Sequence, residues 1–198
     1  MPHLIGQRIR LRAAEKTDID SFLRWINDPD VTENLMLISP MSRIEEERWY
    51  ENMINQPPSE HVLVIEAKHE NKSTDWHAIG TCQFTRIDWR NRSAEVGIMI
   101  GEKTFWDHGF GTEAMGLLLA HGFDTLNLHR VWLQVYDKNQ RAIRAYEKAG
   151  FIHEGSFRQA HYQHGQYYNV HLMSVLKPEW LVAKSSDRQD EIRRKANK

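Results

Sequence analysis

Apolar and polar positions alternate along Arg8 to Ala13 (RIRLRA), the period-two signature of a half-buried strand. After it the period lengthens. Thr17 stands where an N-cap belongs, Asp18 and Asp20 fall in a first turn, and Phe22, Leu23 and Ile26 space a helix that stops near Asp28-Pro29. Ser42 and Glu45 form a capping-box pattern that opens a second helix through Trp49 and Met53 to Gln56, before Pro57-Pro58. Three β-rich runs follow at 61–67, 79–88 and 93–101, with the charged stretch 68–75 read as a surface loop between the first two. A helix is expected from Thr112 to about Thr125, and a buried strand over 130–136. Asn139 caps a further helix that ends at Gly150, and two strands run from Phe151 to Leu176 around a turn at His164-Gly165. The order βααβββαβαββ predicts a mixed α/β (α+β layered) fold: a mostly antiparallel sheet of about seven strands with helices on both faces.

Composition narrows the class. The 198 residues are 40% hydrophobic and 27% charged, as in an ordinary soluble domain. We read 1–180 as one domain and 181–198 as a charged tail, with a homodimer left open. The net charge of −1 offers no bulk attraction for nucleic acid or a membrane surface. No apolar run reaches the length of a span, and the first residues lack a signal-like core, so a cytoplasmic location is expected. The single cysteine, Cys82, cannot form an internal disulfide. Eleven histidines are scattered without metal-ligand spacing, and no metal is expected.

The stretch FWDHGFGTEA, Phe105 to Ala114, carries the first chemistry. Gly109 and Gly111 lie two apart, after a strand and ahead of a helix. Glycines let main-chain N–H groups face outward, and a helix N-terminus adds partial positive charge. Together they can hold a phosphate on the amides of His108, Gly109, Phe110, Gly111 and Thr112. A turn that merely changes direction remains the alternative. The stretch is no dinucleotide fingerprint, because Ala114 stands where GxGxxG needs its third glycine, and no GxxxxGK[ST] occurs.

WDHGFGTEA resembles the acetyl-CoA pyrophosphate loop of the GNAT N-acetyltransferases, Q/R-x-x-G-x-G/A, with Trp106 in place of the usual Gln or Arg. NQRAIRAYEKAGF (139–151) is similar to that family's N-x-x-A-x-x-x-Y-x-K-x-G-F block, and residues 154–176 to its C-terminal hairpin. The similarity runs from about Ile5 to Leu176 and points to the ribosomal-protein N-terminal and spermidine acetyltransferase branches. It implies acetyl-CoA as cosubstrate: the pyrophosphate on His108 to Thr112, the pantetheine arm beside Ile98, Met99 and Ile100 where neighbouring strands splay, and Asn139 against that arm.

Acetyl transfer to an amine needs a proton acceptor, a donor for the developing oxyanion and, usefully, an acid for the leaving thiolate. The resemblance implies Glu95 as base, Tyr146 as acid and the Ile98 or Met99 N–H as oxyanion donor. Arg144 and Lys148 on the same helix as Tyr146 could meet the coenzyme's adenosine 3′-phosphate, but as helix-surface cations they read as solvated. The acceptor is expected to be a protein N-terminus or a small cationic amine such as a polyamine or aminoglycoside, near Glu33, Asn34, Glu45, Tyr162, Tyr167 and Tyr168. Asn169 stands where the ribosomal-protein enzymes carry Asp. A non-catalytic acyl-CoA-binding module is the alternative function.

Overall fold

The computed structural model describes residues 4–35, 39–68 and 75–185. Most of the charged stretch 68–75 and the tail beyond 185 therefore lie outside the described residues. The strands are β1 (Leu4–Ile5), β2 (Ile9–Ala13), β3 (Leu63–Lys68), β4 (Trp76–Asp88), β5 (Ser93–Ile100), β6 (Arg130–Tyr136), β7 (Ile152–Gln163) and β8 (Gln166–Leu176). The helices are α1 (Ile19–Ile26), α2 (Pro29–Thr32), α3 (Arg43–Ile54), α4 (Phe110–Ala120), α5 (Gln140–Lys148) and α6, residues 177–185. One open sheet runs in the order β1-β2-β3-β4-β5-β6-β8-β7. Its eighth strand, beyond the expected seven, is the short β1, which pairs Leu4 with Leu11. All neighbours are antiparallel except β5 and β6.

Two apolar layers cover the sheet. On one face Ala114, Met115, Leu118 and Leu119 of α4 pack with Ala94, Val96, Leu133 and Met173. On the other, Phe22 and Trp25 of α1 pack with Val31 and Val64. Side chains alternate across a strand, so Val96, Ile98 and Ile100 face α4 and α5 while Glu95, Gly97 and Met99 face α1 to α3. Trp25 lies against Gly101, where any Cβ would meet the indole at 2.2 Å. That close approach sets α1 on the end of β5.

Several local expectations match their physical cause. The Ser42–Glu45 box caps α3 reciprocally, and the Asn139 side chain accepts from the Ala142 N–H at 3.2 Å. His164 and Gly165 both take positive φ, as a tight hairpin turn requires. Thr17 is the exception. The segment leading into α1 is a 3-10 turn, Lys16–Asp18, in which Glu15 and Asp18 make the capping box. Asp18 is drawn to Arg12, whose two terminal nitrogens each lie 2.7 Å from its carboxylate, while Arg12 Nε reaches Glu66 at 2.8 Å. Arg10 takes the other Glu66 oxygen at 2.5 Å. This ionic cluster joins the start of α1 to β2 and β3. α4 begins two residues before Thr112, and its last turn widens into a π turn, His121–Thr125.

Removing Arg12 leaves the buried Asp18 carboxylate without its cation and Glu66 with Arg10 alone. Arg12→Met is expected to lower unfolding free energy by about 3 kcal/mol in a urea titration at pH 7. A loss within experimental error of zero would mean the cluster is solvated.

Candidate active site

The parallel pairing of β5 with β6 covers only Ser93–Glu95 against Arg130–Trp132. Beyond Glu95 the strands part. Alternate residues of β5 from Val96 to Ile100 then keep main-chain groups on an edge without a strand partner. A cleft of about 650 Å³ occupies the opening. It is lined by β4 and β5, by the start of α4, and by the inward side of α5.

The start of α4 closes one end. Gly109 takes φ +82° at the N-cap, and Asp107 just before it takes +62°. A Cβ at Gly109 would be strained by that backbone. No side chain caps this helix, and its first internal bond is Glu113 N–H to Gly109 O. The N–H groups of Phe110, Gly111 and Thr112 thus donate to no acceptor among the described residues. Gly111 opens onto the cleft, its nearest would-be Cβ neighbour being Ile100 at 3.8 Å. The arrangement suits an anion.

A clamp invisible in the sequence holds this turn from outside. Arg8 of the β1–β2 connection donates to Glu113 at 2.9 Å and to the His108 carbonyl at 2.9 Å. Its guanidinium also lies 4.6 Å from the Phe110 ring centre. The Glu113 carboxylate accepts from the Gln7 and Arg8 N–H groups at 2.8 Å each. His108 itself is exposed and outside the cleft lining, its Nδ1 2.6 Å from the Trp106 carbonyl. Gly109, Phe110, Gly111 and Thr112 do line the cleft, as do Ile98, Met99 and Ile100.

Glu95 lies at the point where the strands part. Its Oε2 is 3.2 Å from Arg86 Nη1 and accepts from Thr85 Oγ1 at 3.5 Å. Arg86 reaches it from a bulge in the β4–β5 ladder, with φ +50°. The second oxygen, Oε1, has no protein partner among the described residues, and the residue lines the cleft. From the opposite face, Tyr146 of α5 enters the lining beside Phe151, 5.9 Å between ring centres. Burial pushes its phenol up to about 12. Asn139 lines the same wall. Arg144 and Lys148, read from sequence as solvated, also line the cleft, together with Arg141, which lies over Trp106 at 3.7 Å. Asp107 is the acidic residue of this basic end.

A model of the acetyltransferase (GNAT) domain matches residues 8–152. The chain belongs to the GNAT acetyltransferase family. An uncharacterized GNAT relative, N-acetyltransferase p20 of Bacillus licheniformis, is 33% identical over 185 residues, covering 91% of this chain and 99% of that protein. The crystal structure of spermidine N-acetyltransferase from Vibrio cholerae, in complex with CoA and spermine, superposes with a TM-score of 0.80 at 27% identity, covering 89% of this chain and 99% of that one. A putative ribosomal N-acetyltransferase of Bacillus subtilis, YdaF, is 32% identical over 106 residues, 54% of this chain and 57% of that protein. The enzyme is thus an acyltransferase whose acetyl donor is acetyl-CoA. The cleft offers free amides at a helix start, flanking cations and an open strand edge.

Of the residues expected at the acceptor, Asn34 lines the cleft, while Glu33, Glu45, Tyr162, Tyr167 and Tyr168 stand outside its lining. The Glu45 carboxylate is committed to the α3 cap, accepting from Ser42 N at 2.8 Å and Ser42 Oγ at 2.5 Å. Asn169 works inside the hairpin, its Oδ1 accepting from the Gln159 N–H at 2.9 Å. Asn34 lines the cleft, while Tyr162 and Tyr167 are exposed and lie 4.9 Å apart at the hairpin end.

Gly111→Val has room for its Cβ yet projects into the cleft. It is expected to raise the acetyl-CoA dissociation constant at least tenfold by calorimetry, with the melting midpoint within about 2 °C of the parent. An unchanged constant would remove this turn from the binding site. Arg8→Met, which releases the turn without entering the cleft, is expected to weaken binding several-fold.

Proposed function

We propose that this GNAT enzyme transfers the acetyl group of acetyl-CoA to the primary amine of a small cationic acceptor, by direct attack with both substrates bound. One observation carries the reading: a single cleft joins an open strand edge, a helix start with unused amides, and a carboxylate with one free oxygen. Acetyl-CoA supplies the thioester. The residues of this chain do the rest.

The amides of Gly109 to Thr112 and the cations of α5 hold the diphosphate end, with Asn139 against the arm. Main-chain groups of Ile98 to Ile100 hold the pantetheine arm, and the Ile98 or Met99 N–H receives charge that develops on the acetyl oxygen. Glu95 Oε1, on the α1 to α3 face, accepts the proton of the incoming amine. An alkylamine with a pKa near 10.4 is only roughly 0.04% neutral at pH 7, so this acceptor matters. Tyr146, on the opposite face, donates to the leaving sulfur. Its raised phenol stays protonated through the working range.

Among acceptors, the small amine is supported by the near full-length likeness to a spermidine acetyltransferase. The likeness to the putative ribosomal enzyme spans about half of each chain, and it favours a protein N-terminus as the second reading. Free thiol released from acetyl-CoA, measured across alkylamines, polyamines, aminoglycosides and N-terminal peptides, separates the two. Turnover with peptides alone would select the second reading, and binding of acetyl-CoA without any turnover would select a non-catalytic module.

Glu95→Gln is expected to lower kcat by about a hundredfold with coenzyme affinity retained. Tyr146→Phe is expected to lower it by roughly tenfold or more. Because the phenol titrates near 12, the parent kcat should not fall between pH 8 and 10. A decline centred in that window would show that the acid is another group or that the phenol is solvated.

A further inference from the structure

At the acceptor-side rim a lysine of the chain itself occupies a cage built for an alkylammonium. Lys138 Nζ donates to Glu33 Oε1 at 2.7 Å and to Gln163 Oε1 at 2.5 Å, and lies 4.8 Å from the centre of the Tyr168 ring. A carboxylate, an amide oxygen and an aromatic face are the groups that recognise an organic ammonium. The Lys138 side chain is only 17% exposed. The other Glu33 oxygen is 3.1 Å from His164 Nε2, at the hairpin turn. The cluster ties three elements together, and its neighbours in sequence are walls of the cleft: Val31, Asn34 and Leu35 beside Glu33, and Asn139 beside Lys138.

Charge at this rim decides what an acceptor can use. The carboxylates among the described cleft-lining residues are Glu95 and Asp107. Glu95 has its task at the reacting amine and is already paired with Arg86, and Asp107 lies at the basic coenzyme end. Glu33 stands just outside that lining, between the lining residues Val31 and Asn34, and Lys138 pairs with one of its oxygens.

We propose that Lys138 is a specificity-determining residue: by occupying the Glu33–Gln163–Tyr168 cage it denies a distal ammonium its anchor, so the enzyme selects acceptors by a single amine. The inference rests on the amine-acetylation reading above and narrows it. An acceptor with two ammonium groups gains nothing over one with a single group, unless the lysine is removed.

The test compares pentylamine with 1,5-diaminopentane, equal in length and differing by one ammonium, in the thiol-release assay. For the parent enzyme the two kcat/KM values are expected to agree within about threefold. Lys138→Met should lower KM for the diamine about tenfold and leave pentylamine within about twofold, a difference of the size one charge-assisted contact gives. Lys138→Gln, which retains hydrogen bonding in the cluster, should act in the same direction if the methionine variant folds poorly. Lys138→Arg should keep the parent pattern, and adding Glu33→Gln to Lys138→Met should abolish the gain. A parent enzyme that prefers the diamine more than tenfold, or a Lys138→Met variant that shifts both amines alike or neither, overturns the proposal. If no amine is turned over by any form, the amine-acetylation reading has failed by itself. Calorimetry with 1,5-diaminopentane on the CoA-loaded protein then still decides the cage. Binding gained in Lys138→Met and lost again with Glu33→Gln supports it, and equal heats in all forms refute it.

Discussion

The parting of β5 from β6 is the constraint on which the rest of this molecule depends. Two antiparallel arms, one ending at β5 and the other beginning at β6, are joined by a short parallel seam from Ser93 to Glu95. Strands of a twisted sheet diverge readily where their ladder is short. Backbone N–H and C=O groups left bare there would be costly in a dry interior, so an opening that something else fills is the physically consistent outcome. The α4 crossover sits beneath that opening and turns its own unsatisfied amides toward it.

The seam also sorts the chemistry. A strand sends alternate side chains to opposite faces, and Glu95 therefore looks toward α1 to α3 while Tyr146 arrives from α5 on the other side. A proton acceptor and a proton donor on opposite faces of one slot suit a reaction in which an amine enters from one side and a thiolate leaves on the other. Rigidity comes from outside the slot. Arg8 and Glu113 fix the Gly109 turn, Trp25 against Gly101 fixes the end of β5, and the Arg12 cluster fixes α1. None of these groups needs to touch a substrate to matter.

What could be read from sequence follows the range of the interactions. The Ser42–Glu45 box, the Asn139 cap and the His164-Gly165 turn are set by residues a few positions apart, and the pattern alone shows them. The glycines at 109 and 111 were legible because a helix start follows at once. Arg8 and Glu113, by contrast, lie 105 positions apart, and their pairing needs the sheet to bring them together. Thr17 lost its expected role because Asp18 answers to Arg12 on a neighbouring strand, and Glu45, on its α3 cap, stands outside the cleft lining. Arg144 and Lys148 carry no local sign that α5 turns them toward a cleft.

Hydrogen–deuterium exchange of the intact protein, with and without saturating acetyl-CoA, tests the use of the open edge most directly. Peptides covering Val96 to Ile100 and Phe110 to Thr112 should slow markedly when the coenzyme is present, while the outer strands β1 and β7 stay as they were. Slowing confined to other segments, with both of these exchanging at their free rate, would contradict the account.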